Sequence, residues 1–199
     1  MTYSVAILET VLAYTWWLAP VTPRSTAVLA AAIVIALAIA RAARAREWGL
    51  APRHLAGSLL LTSIFTVAAA AVLVVAGGSR HRWHTPSLTA ADAGFLLLWA
   101  LGQQFALQLT LLREAQATTS RAAGVFIAAA LFAALHLPNP FLTTVTFVAA
   151  LAWCAIYERH PNLLPLTLSH ALLTVVVLSA LDDATTGRLR VGAAYLASR

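Results

Sequence analysis

The chain has 199 residues, 61% of them hydrophobic and only 10% charged, where soluble proteins carry about a quarter charged. That arithmetic excludes a soluble globular domain, a disordered segment, a collagen-like or coiled-coil rod and a disulfide scaffold. All 13 basic residues are arginine, set against seven acids for a net charge of +6; they sit at the edges of apolar runs, where arginine meets lipid phosphate, so the bilayer and not nucleic acid is the expected partner.

The reading is an all-α, polytopic membrane helix bundle in a single domain, residues 1–199. A crossing helix needs roughly 20 apolar residues. Runs between Arg, Pro and Gly breaks predict about seven helices, near 5–18, 26–40, 59–75, 93–112, 122–137, 141–156 and 163–181. Several are short for a full crossing, so the count carries an error of one. The first contains Glu9, the Trp16–Trp17 pair follows, and no basic residue precedes it, which argues against a cleavable signal peptide. The arginines divide six against seven between the two sides and set no orientation, although Arg41, Arg44 and Arg46 form one dense cluster. The polar stretch 77–84 reads as a loop at the membrane edge, and a metal role for its His81 and His84 is the lesser reading. The piece after Asp182 is polar and is expected at the surface.

Polar groups inside a membrane are costly unless they face the bundle interior and find partners. Three sets break the apolar pattern. Gln103, Gln104 and Gln108 lie in the fourth run; Gln104 and Gln108, four apart, share a helix face, with Gln103 about 100° round. Read alone, three amides are interhelical glue. His136 closes the fifth run and leads into Leu137-Pro-Asn-Pro140, where Asn139 between prolines reads as a turn residue. His170 lies well inside the seventh run, preceded by Ser169, with Thr174 one turn later on its face. Two histidines added to a glutamine-rich helix make a site and a structural network equally good readings.

The order of these sets resembles the CPBP family of membrane proteins, the CAAX-protease and bacteriocin-processing group also called Abi. That family carries Glu-Glu-x-x-x-Arg on one span, Phe-x-x-x-His on the next and His-x-x-x-Asn on a later one. Here Gln103-Gln104-x-x-x-Gln108 stands in the first place, Phe132-x-x-x-His136 matches the second in full, and His170-x-x-x-Thr174 keeps the histidine of the third. Glu47-Trp-Gly-Leu50 also looks like family sequence, so the likeness covers roughly 48–181. The resemblance implies an all-helical bundle that cleaves peptide bonds near the membrane surface. Glutamate there is the general base for a water, and the histidines and Asn position it and stabilise the oxyanion. By position, Gln103 takes the base, Gln104 its neighbour and Gln108 the arginine, with His136, His170 and Thr174 completing the set.

The change of residues changes the chemistry. A carboxylate accepts a proton and a neutral amide does not; losing a general base removes on the order of 10² to 10⁴ in rate. Glu114 lies ten residues after Gln104, about 15 Å along the axis, and reads with Arg113 as an interfacial pair. His136 or His170 can serve as base instead, with an unperturbed pKa near 6.5, while the amides orient a bound group. A divalent metal held by both histidines with Gln or water is an alternative, although catalytic zinc usually has three protein ligands; the expectation is no cofactor. Cys154 with either histidine is a formal nucleophile–base pair, and a buried small hydrophobe is the commoner role for it.

Three functions remain open on this sequence. The first is a CPBP-type intramembrane endopeptidase with an atypical, carboxylate-free site. The second is the same scaffold acting on a lipid or other hydrophobic small molecule as a cyclase, isomerase or binding protein. The third is a non-catalytic pseudoprotease that holds a membrane partner. A membrane-embedded peptide or a hydrophobic small molecule is the expected substrate, and the bacterial inner membrane the expected location.

Overall fold

A computed structural model describes residues 2–23, 25–78 and 87–197; His81 and His84 of the polar stretch lie outside them. Helix α1 (Thr2–Ala13) runs into a π-helical turn, Tyr14–Leu18. Helix α2 (Ser25–Ala45) is followed by a 3₁₀ turn at Pro52–His54 and by α3 (Leu55–Gly78). Helix α4 (Ala90–Ala106) continues through a π-helical segment, Leu107–Leu112, into α5 (Arg113–Gln116). Then come α6 (Arg121–Ala134), α7 (Pro140–Arg159) and α8 (Leu163–Ala180). The short α9 (Asp183–Thr186) and α10 (Gly192–Leu196) end the chain.

The protein is a polytopic helical bundle, and every one of the seven expected runs falls on helix. Five stretches are long and apolar enough to cross a membrane: Thr26–Ala45, Pro52–Gly78, Ala90–Gln116, Pro140–Arg159 and Leu163–Ala180. Helix α6 is apolar but shorter, as is the N-terminal run along α1 and its π turn.

Burial sorts these helices into layers. Only 6% of the α3 span and 11% of α2 is buried, against 50% for α4–α5 and 56% for α8. Helices α4 and α8 therefore form the centre, and α2 and α3 the flank. On that flank Val28, Leu60, Val67 and Val75 stand exposed, which costs nothing in hydrocarbon because lipid tails are as apolar as the side chains. Helix α3 lies along α8 and α7, α4 along α8, α6 along α7, and α1 along α2. The main core joins Leu107, Leu109 and Leu112 of the π segment to Phe132, Trp153, Tyr157 and Leu166. Ala128 and Ala129 are wholly buried at the α6 contact, where small residues let backbones approach.

Helix starts follow side-chain chemistry. Thr89 and Asp92 form a capping box at α4; Ser120 caps α6, Asn139 caps α7 and Asn162 caps α8. Asn139 is the structural turn residue its setting between prolines implies. It is wholly buried, and its Nδ2 donates to the carbonyls of Thr186 and Arg190 at 2.9 and 3.0 Å. The C-terminal piece lies largely at the surface, as expected, and is folded back onto the bundle. Gly192 N–H donates to Leu137 O, Thr186 and Tyr195 are buried, and α10 packs on the π turn after α1.

The link between α2 and α3 is stitched to the α7–α8 turn. Leu50 bridges to Asn162, Leu163 N–H donates to Gly49 O at 2.7 Å, and Ser58 Oγ donates to Asn162 O. Gly49 has φ +64°, and a Cβ there would stand 2.7 Å from Tyr157 Oη and 2.9 Å from Leu163 Cγ. Gly49→Ala is thus expected to lower stability by about 1–3 kcal/mol, from left-handed strain and overpacking together; unfolding of the detergent-solubilised protein measures it. Tyr157→Phe should restore only part of the loss, since the Leu163 contact remains.

Candidate active site

The amides come first. Gln104 and Gln108 are both 0% exposed, and Gln108 Nε2 donates to Gln104 Oε1 at 3.2 Å. Their shared face puts them together as the four-residue spacing requires. Gln104 Nε2 and Gln108 Oε1 find no partner among protein groups. Gln103, to which the resemblance gives the base position, stands outside this pair and is half-buried. Cys154 is wholly buried in the core and lies beside Gln108.

The imidazoles meet around one ring. Phe132 lies 5.1 Å from His136 and 6.4 Å from His170, ring centre to ring centre, edge-on to both. His136 sits in the turn that follows α6 and is half-buried. Its Nδ1 is 2.9 Å from Phe132 O; a carbonyl only accepts, so Nδ1 carries the proton and, in the neutral ring, Nε2 holds the lone pair. His170 stacks on Trp153, 4.7 Å between centres and 26° from parallel. Trp153 Nε1 donates to Ser169 Oγ at 3.1 Å, and Thr66 Oγ1 donates to the same oxygen at 2.7 Å. Helices α3, α7 and α8 thereby fix the ring beside His170. Thr174, in the place of the family Asn, donates its hydroxyl to His170 O at 3.0 Å within its own helix.

The third cluster is ionic and was not legible as one. Arg113 Nε donates to Glu47 at 2.8 Å, its Nη1 donates to Glu158 and, at 3.1 Å, to Gln116, and its guanidinium lies 5.2 Å over the Tyr157 ring. Arg41 completes the set with Glu47 at 3.1 Å. The expected Arg113–Glu114 pair is replaced by this arrangement, because Glu114 accepts from the backbone N–H of Tyr3 and Ser4 at the start of α1. An anion there complements the helix dipole. Arg113 reaches instead across 66 and 45 residues of sequence, a distance no local pattern encodes. Among the described residues, no group of three or more His, Cys, Asp and Glu is placed to hold a metal.

The described bundle thus carries two imidazoles against one phenyl ring and a buried amide pair, the features of a polytopic membrane protein with polar groups in its interior. Residues 86–176 match the model of the type II CAAX prenyl endopeptidase Rce1-like family, a stretch that contains all three motif positions. Over that stretch, just under half of the chain, it is similar to that family. No curated protein and no solved structure matches the chain.

Two stability predictions follow from this geometry. Arg113→Leu leaves Glu158 without its cation and Glu47 with Arg41 alone, and should cost on the order of 1–3 kcal/mol, between the values for exposed and fully buried pairs. Adding Glu47→Gln and Glu158→Gln should recover part of the loss in the same unfolding assay. Gln104→Leu alone strands the Gln108 amide and should cost about 1–3 kcal/mol, while Gln104→Leu/Gln108→Leu should cost clearly less than the two single changes summed.

Proposed function

We propose that the protein is a CPBP-type intramembrane endopeptidase whose site runs without a carboxylate, with His136 as general base. The observation that carries this reading is the His136 tautomer: with Nδ1–H on Phe132 O, the lone pair of Nε2 is the one left to take a proton. In the proposed reaction a water oxygen bonds to the scissile carbonyl carbon while one water proton passes to His136 Nε2. That proton then goes to the leaving amine as the C–N bond breaks. His170, held flat against Trp153, stabilises the oxyanion side, and Thr174, bonded to His170 O, holds the helix beneath it. Gln103, Gln104 and Gln108 orient the groups around them by neutral hydrogen bonds. The substrate is a membrane-embedded peptide presented near the bilayer surface, and the proposed steps use no metal or cofactor.

His136→Ala and His170→Ala should leave a membrane peptide uncut, and Gln103→Glu should not abolish cutting. Peptide and lipid mass spectrometry on one membrane extract from wild-type and His136→Ala cells reads the outcome. Intact precursors accumulating in the variant support the peptidase. A changed lipid or pigment with unchanged peptides overturns it in favour of a scaffold turned to hydrophobic small molecules, a reading that the wholly buried amide pair supports. No change in either overturns it in favour of a pseudoprotease.

A further inference from the structure

We propose that the seam between the π-helical segment after α4 and helix α7 is an internal water site, held by the Gln104 and Gln108 amides and entered from the Arg113 end. Its role as the source of hydrolytic water rests on the peptidase reading; the site itself does not.

The two amides are wholly buried and bond to each other once. One amide nitrogen and one carbonyl oxygen are then left over, Gln104 Nε2 and Gln108 Oε1. Exchanging O and N on both side chains leaves the same remainder, so one donor and one acceptor are left whichever way the amides are turned. Buried polar atoms are almost always paired, by protein or by water. A water accepts from the nitrogen and donates to the oxygen, and its second proton remains for another acceptor. An ion has no counter-charge in a pair of neutral amides.

The pattern continues toward the membrane face. Tyr157 Oη and Gln116 Nε2 are likewise buried without a protein partner, and both belong to groups that contact Arg113. Cys154 lies between the two ends, beside Gln108 and within electrostatic range of Arg113 and Glu158. Gln104 to Arg113 is nine residues, roughly 13 Å along the axis, and Trp153 next to Cys154 is the ring that stacks on His170. Unpaired polar atoms thus stand at both the charged end and the amide pair of this seam.

The thiol of Cys154 is the natural reporter, because sulfur is a readily oxidised side-chain atom and this one is 0% exposed. The full chain in lipid nanodiscs is given a millisecond X-ray pulse in isotope-labelled water, so that hydroxyl radicals form wherever water resides, and Cys154 is assayed for label. Wild type should take up label at Cys154 despite its burial, and Gln104→Leu/Gln108→Leu should lower the uptake severalfold at unchanged thermal stability. A label-free Cys154 in wild type overturns the proposal, as does equal labelling in the double variant. Should that variant not fold, Gln108→Met takes its place with the same two outcomes. No cleavage is read, so failure of the water site and failure of the peptidase reading are told apart.

Discussion

Arg113 joins two distant parts of the chain to its own helix through charge. It stands where α4, after its π-helical segment, reaches the membrane edge. From there it binds Glu47 after α2 and Glu158 at the end of α7, and covers Tyr157. Two carboxylates and two arginines, Arg41 included, balance at zero charge in a half-buried position. Such a cluster is affordable only because each charge has a partner of opposite sign within hydrogen-bond distance. Its geometric consequence is larger than its energy. By fixing α5 against α7, it sets the depth of Gln108 against Cys154.

Charge and neutrality are arranged by depth. At the edge, where water and headgroups screen, the chain places Arg113, Glu47 and Glu158. Toward the middle it places amides, hydroxyls and imidazoles, which need hydrogen bonds but carry no obligatory charge. The Glu-Glu-x-x-x-Arg pattern of the family would put carboxylates and a guanidinium on the helix of Gln104 and Gln108. Here that helix holds only amides, and the ion pairs stand where the membrane penalises them less. The replacement is consistent across all three positions, which marks it as a different polar design and not as scattered loss.

Much of this was legible from local pattern. Apolar runs located the helices, four-residue spacing placed Gln104 and Gln108 on one face, and prolines around Asn139 marked the turn that it caps. The Phe132–His136 spacing put the imidazole over its own helix end. What stayed hidden depends on contacts between distant segments. Trp153 gave no sign that it would stack on His170, since α7 and α8 must first pack before the rings meet. Arg113 and Glu114 looked like neighbours in one pair because adjacency was the only information available, yet adjacent residues on a helix point about 100° apart. The shortness of α6 and the fold-back of the C-terminal piece likewise follow from tertiary anchors, Asn139 and Gly192 in particular.

The neutral site has a chemical consequence. In hydrolases that use histidine as base, a carboxylate on the far ring nitrogen both fixes the tautomer and stabilises the imidazolium that forms. His136 has a backbone carbonyl in that place. A carbonyl dipole fixes the tautomer just as well, but it offers a partial charge where a carboxylate offers a whole one, so it stabilises the imidazolium less. The compensation available to this protein is exclusion of bulk solvent, which strengthens every dipole in the site. That is why the packing around Phe132 matters to chemistry and not only to stability. In the reaction proposed above, the ring that touches both imidazoles narrows their access to bulk water, and the reacting water is one that the amides hold.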